Sequence, residues 1–193
     1  MKPLNIFIIV SFTFLLFYCS HSIPKQVQQN AKNSLVNDSS KNSESVIDYS
    51  MLGSELMQNE KLDQLKIGLN AKDLLPILGS PSEESQPELW GADGLYHKTA
   101  KYSKEGVELD LIQNADSGFS VNMIKINAPC RFKTLKGIGI NSDFHSVKFA
   151  YAQYIDNKEI NENQIVAGSV YGGVIFTFEN QKVKSIFIGA SAE

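Results

Sequence analysis

Chemistry-bearing side chains are scarce in this chain. Its 193 residues include two cysteines, three histidines and one tryptophan. Cys19 closes the apolar N-terminal run and Cys130 stands alone in mid-chain, so no disulfide framework is expected. His21, His97 and His145 show no ligand spacing among themselves or with Cys130, which argues against a zinc site. A nucleophile at Cys130 would need His97 or His145 as its base; a thiol buried after a turn is the plainer expectation. Positive charge is short as well, with 18 Lys and Arg against 21 Asp and Glu and a formal charge of -3. No basic stripe marks a nucleic-acid partner. Gly137-Ile138-Gly139 lacks the third glycine of a dinucleotide-binding loop, and no cofactor is expected.

No apolar run reaches the roughly 20 residues that span a bilayer. The longest, Leu4 to Tyr18, follows a short positive start at Met1-Lys2-Pro3 and has the form of an export signal. Leu16-Phe17-Tyr18-Cys19 resembles a bacterial lipobox, in which the cysteine becomes the lipid-bearing first residue. The expectation is a signal peptide over residues 1–19, lipid attachment at Cys19, and an exported protein held to a bacterial membrane by its anchor alone. The rival is cleavage after Ser20-His21-Ser22, which gives a secreted soluble protein without Cys19. Residues 20–50 are rich in Ser, Asn, Gln and Lys, with apolar residues in no regular period. Such a segment buries too little to offset its ordering entropy, and a disordered tether is expected.

Folded sequence is expected from Met51 onward. Ser54 and Glu55 suggest the start of a short helix, and Asn70 caps a second one carrying Leu74, Leu75 and Leu78, stopped by Gly79-Ser80-Pro81. Asp93-Gly94 signals a turn between a short strand and a longer one through Tyr102, followed by strands Val107 to Gln113 and Phe119 to Asn127. The pattern then repeats. Ile67-Gly68 finds a counterpart in Ile140-Asn141, Asn70 in Asp143, Leu74 in Val147 and Leu78 in Tyr151. Gly106-Val107 is matched by Gly173-Val174, and the spacing Val-x-x-Ile-x-Ile occurs from Val121 and again from Val183. These correspondences predict an α+β fold of two tandem helix-plus-antiparallel-meander repeats, residues 51–130 and 131–193, in a two-layer arrangement.

Ile67-Gly68-Leu69-Asn70 through Leu78-Gly79-Ser80-Pro81 resembles the opening of small bacterial envelope lipoproteins of the SmpA/OmlA type. The tandem arrangement is similar to that of the β-lactamase inhibitor protein, whose repeats form a concave sheet. Gly172 to Phe178 and Ile186 to Glu193 also resemble the ending of an uncharacterised family of bacterial exported proteins. The resemblance implies a fold and a protein-binding role, and carries over no binding residues.

Strand alternation places His97, Thr99, Lys101, Glu108, Asp110, Met123 and Lys125 on one sheet face in the first half, and Ile175, Thr177, Ser185 and Phe187 there in the second. Glu108 and Asp110 have the spacing of two catalytic carboxylates, although a solvated outer face produces the same pattern. Trp90 and Tyr96 beside the Asp93-Gly94 turn suit a ligand wall or, more plainly, an aromatic pair stapling a hairpin. Outward apolar residues need a cover. Phe187, Ile175 and Thr177 are therefore the candidate partner-binding residues, with Phe132 and Leu135 as the intramolecular alternative cover. The expected function is a non-enzymatic cell-envelope lipoprotein that binds another envelope or secreted protein. The alternative is an exported hydrolase with a site built from Glu108, Asp110 or His97.

Overall fold

The computed structural model describes residues 47–157 and 160–191. The expected leader, Cys19, and the tether before Ile47 lie outside the described residues. The architecture is α+β: among the described residues, three α-helices accompany a single antiparallel sheet of eight strands. No helix among the described residues is long and apolar enough to cross a membrane.

Helix α1 spans Tyr49–Asn59, starting earlier than Ser54 and inside the stretch expected to be tether. Asp48 is the reason. Its carboxylate accepts from the backbone N–H of Ser50 at 3.0 Å and of Met51 at 3.3 Å, satisfying donors that a helix start leaves open. Farther on, Asn70 caps a 3-10 turn, Ala71–Asp73, by accepting from the Lys72 N–H at 3.1 Å. Only Leu75–Leu78 then forms helix α2, with Pro76 in its first turn, where a missing N–H costs no hydrogen bond. Leu74 and Leu78 are buried and Leu75 is 62 % exposed, because a single turn of helix offers the core only one side. Helix α3 covers Phe144–Ala150 with Asp143 at its cap position.

The strands are β1 Glu83–Glu84, β2 Glu88–Leu89, β3 Tyr96–Tyr102, β4 Val107–Gln113, β5 Phe119–Asn127, β6 Gln164–Ser169, β7 Gly172–Glu179 and β8 Lys182–Gly189. β1 and β2 both pair with β3, and the sheet continues β3-β4-β5-β8-β7-β6. The two meanders therefore meet through their last strands, with Ile124 opposite Ile188, Lys125 opposite Phe187 and Ile126 opposite Ile186. The β7–β8 connection turns on Asn180 and Gln181, at φ of 51° and 61°. Two left-handed residues in a two-residue loop match the right-handed twist of the flanking strands. Gly53 of α1 sits so close to the β6–β7 connection that a Cβ there would lie 2.1 Å from the Gly172 carbonyl oxygen. Nothing larger fits between those backbones.

Val107, Leu109, Leu111, Val174, Phe176 and Phe178 form one hydrophobic cluster with Leu56, Leu74, Leu78, Val147 and Tyr151, as the strand alternation predicts. Phe132 packs against this cluster, while Leu135 is exposed, so neither caps the opposite face as a unit. Pairing in β4–β5 shifts by one residue between Asp110 and Leu111, and in β7–β8 between Thr177 and Phe178. Each shift is a β-bulge, with Asn122 and Lys184 as the extra residues.

The segments leading into α2 and α3 are tied to the sheet alike. Gly68, at φ 79°, donates to the Val121 carbonyl at 2.7 Å, and Asn141, at φ 69°, donates to the Val183 carbonyl at 2.9 Å. Val121 and Val183 return the bond to Leu69 and Ser142, each at 2.9 Å. Asn70 bridges Ser120 and Asp143 bridges Lys182. A left-handed turn at Asn141 is possible because asparagine tolerates that conformation better than other non-glycine residues.

Candidate functional site

The face of the sheet opposite the hydrophobic cluster carries a buried ionic group on β3 and β4. His97, on β3, has cross-strand partners Glu88 and Ile112, and Asp110 lies diagonally across on β4. The His97 Nδ1 is 2.8 Å from Asp110 Oδ2, and its Nε2 is 2.9 Å from Asp93 Oδ2. Asp93 is placed by the turn between β2 and β3. Its other oxygen accepts from the Leu95 N–H at 2.9 Å, while Gly94, at φ 71°, donates to the Trp90 carbonyl at 3.0 Å. The same turn lays the Trp90 ring flat on His97, with centroids 3.8 Å apart and planes within 4°.

An ionised carboxylate can only accept, so two carboxylates facing both ring nitrogens require both nitrogens to donate. With both carboxylates ionised, His97 is held as an imidazolium. Burial opposes that charge, but the hydrogen bonds to Asp93 and Asp110, and then the carboxylate charges, outweigh it and hold the histidine above its ordinary pKa. The Leu95 N–H, followed by the His97 ring, holds Asp93 below the usual carboxylate value.

Asp110 is 2 % exposed, as is His97. Its Oδ2 receives His97 and, at 2.9 Å, the Asn122 side-chain N–H. The bulge makes the second bond possible. In strict alternation Asn122 would face the helices, but as the extra residue opposite Asp110 it is turned to the Asp110 side. Asp110 Oδ1 is buried and has no hydrogen-bond partner among the described residues. A cavity of about 430 Å³ lies here, lined by Trp90, Asp110, Asn122, Met123 and Phe187 and bordered by Ala190 and Ser191.

The outcome differs from the sequence expectation in several places. His97 and Asp110 were expected on a solvated face and are buried, because Trp90 lies over one and the Asp93 turn closes the group. Glu108 is not joined to Asp110 as an acid and base pair. It stands opposite Lys101 and Lys125 and lines a separate cavity with Glu83, Glu84 and Thr99. Tyr96 is exposed and Trp90 is partnered by His97 rather than by Tyr96. Ile175 is 6 % exposed and lies outside the helix-side cluster, with Val166 and Phe187 opposite it on the neighbouring strands. It offers no exposed side chain to a partner. Thr177 is half-buried and hydrogen-bonded to Ser185 through the two hydroxyls at 2.5 Å, and Phe187 is half-buried at the cavity wall. His145 is exposed on α3, and Cys130 is buried, which pushes its thiol pKa up.

Asp93 and Asn122 were not anticipated as members of this group. One signal for Asn122 was legible: Val121 and Ile124 both join the helix-side cluster at a spacing of three, which a regular strand cannot place on one face. Comparison of the chain with protein-family profiles, curated proteins and solved structures found no match.

Proposed function

We propose that this protein is a non-enzymatic cell-envelope lipoprotein, anchored through Cys19, whose open sheet face binds another envelope or secreted protein. The observation that carries this reading is the saturation of His97: both ring nitrogens are committed to carboxylates, beside a cavity walled by Trp90 and Phe187. A hydrolase built on His97 would need one nitrogen free to take a proton from a nucleophile or water. A fixed ionic group under an aromatic-walled cavity suits recognition instead.

The tandem-repeat reading belongs to the same proposal. It is supported by the paired bulges at Asp110/Leu111 and Thr177/Phe178, by the matching hydrogen bonds of Gly68 and Asn141, and by the antiparallel meeting of β5 and β8. In that pairing the counterparts Lys125 and Phe187 face each other, as an approximate two-fold relation of halves would place them. We take the helices to form a second layer on the clustered face, in the manner of SmpA/OmlA-type lipoproteins and the β-lactamase inhibitor protein. The divergence between Lys125 and Phe187 then lies on the face left for a partner.

Two measurements test the reading. Labelled fatty acid should enter the wild type and not Cys19→Ser; a mature N-terminus at Ile23 would sink the anchor. Phe187→Asp should leave the melting temperature within a few degrees of wild type and abolish retention of an envelope partner cross-linked to residues 47–191. A large fall in melting temperature would show Phe187 to be internal packing and remove the partner surface.

A further inference from the structure

The geometry points to a site for an N–H-bearing cation, a guanidinium or primary ammonium, in the cavity between Trp90, Asp110 and Phe187. The inference rests on reading this face as a binding surface and adds the chemistry of what it binds. Asp110 is nearly wholly buried and has one oxygen, Oδ1, without a partner among the described residues. A buried carboxylate oxygen is costly unless a donor reaches it. Its other oxygen is fully used by His97 and Asn122, so the open valence belongs to something outside the group.

A cation fits better than a neutral donor for two reasons. With both carboxylates ionised, Asp93 and Asp110 bring two negative charges against at most one positive charge on His97, which leaves the group anionic. The walls include two aromatic residues, Trp90 and Phe187, with Met123 on the strand between the acid and Phe187, and aromatic rings attract cations. Lys125, across from Phe187, is exposed and has Glu108 opposite on its other side. It is not among the residues lining this cavity.

Trp90 is the single tryptophan of the chain, so its fluorescence reports directly on the site. Methylguanidinium, N-acetyl-arginine amide and putrescine should each quench or shift its emission saturably, with millimolar dissociation constants, and neutral N-acetyl-norleucine amide should not. Asp110→Asn should weaken the response about 10- to 100-fold, the loss of one hydrogen bond to a charged group. Should that variant fail to fold, Met123→Lys provides the second test. Met123 stands directly opposite Asp110, and an ammonium placed there should occupy the site and block added cations.

Tighter binding of N-acetyl-arginine amide than of methylguanidinium or putrescine assigns the cation to a peptide side chain, and the reverse order to a small free amine; both support the site. An equal response to the norleucine amide, or an unchanged response in Asp110→Asn and Met123→Lys, overturns it. Absence of any cation response, with Phe187-dependent partner retention intact, overturns the cation site and leaves the protein-binding reading standing.

Discussion

Replacing Phe176 by alanine is expected to lower the unfolding free energy by about 3–5 kcal/mol, the range for truncating a fully buried aromatic ring. Phe176 is 0 % exposed at the centre of β7, between Ile165 of β6 and Ile186 of β8. Its ring meets that of Tyr151 at 4.9 Å. Tyr151 is itself fixed, donating its hydroxyl to Glu60 Oε2 at 2.7 Å, while Glu60 Oε1 accepts from the Leu135 N–H at 2.8 Å. A space opened beneath Tyr151 cannot close by a swing of that side chain about its Cα–Cβ bond without breaking a buried hydrogen bond to a carboxylate, so little of the lost packing is recovered. Thr177→Ala, one residue on and facing the other way, should cost less than about 1.5 kcal/mol, the net worth of one hydroxyl hydrogen bond. Urea unfolding of the two variants beside wild type checks the contrast. Equal losses would refute the facing of β7.

Replacing His97 by alanine is expected to cost a comparable amount, about 3–5 kcal/mol, for a different reason. The Asp110 carboxylate would remain buried with Asn122 as its one donor, and Trp90 would lose the ring on which it lies flat. The penalty comes from the stranded charge more than from the missing contact. A double variant, His97→Ala with Asp110→Ala, should therefore be more stable than His97→Ala alone. Additive losses would show that the two residues act independently.

The same group sets a pH dependence whose sign follows from proton binding. His97 holds its proton more tightly folded than unfolded, so its contribution is fully present below the unfolded value of about 6.5 and is lost as pH rises through the higher folded value. Asp93 works in the opposite sense. Its lowered value gives a contribution present above the ordinary carboxylate range and lost as pH falls through the folded value. Wild-type stability should decline on the alkaline side in a range where His97→Ala stays flat, and urea midpoints across pH would show it.

Much of the sheet was legible in the residues. Val107–Gln113 and Phe119–Asn127 form strands with the expected bounds, and the buried face of β4 and β7 is the one their alternation assigns. A strand's period of two is a local property, set by the pleat and independent of where the chain goes. The matched segments at Gly68 and Asn141 were readable for the same reason, since a left-handed residue before a capped turn depends on its neighbours in sequence. Local signals were weaker for the helices. A propensity pattern over Asn70 to Leu78 does not say whether the turn will be 3-10 or α, and the structure divides it between the two.

The candidate site depended on tertiary structure. Alternation places His97 and Asp110 on one face, but it does not say that the Asp93 turn and Trp90 will close over them, because burial belongs to whatever packs on a residue and not to the residue itself. The Val-x-x-Ile spacing of β5 contained the bulge in outline, yet the orientation of Asn122 toward Asp110 is settled by which residue it pairs across. Strand order is the same kind of question. Nothing local brings β5 beside β8 and sets Phe187 at the edge of the cavity; that arises when two meanders, separated by a long connection, bury their last strands against each other in one sheet.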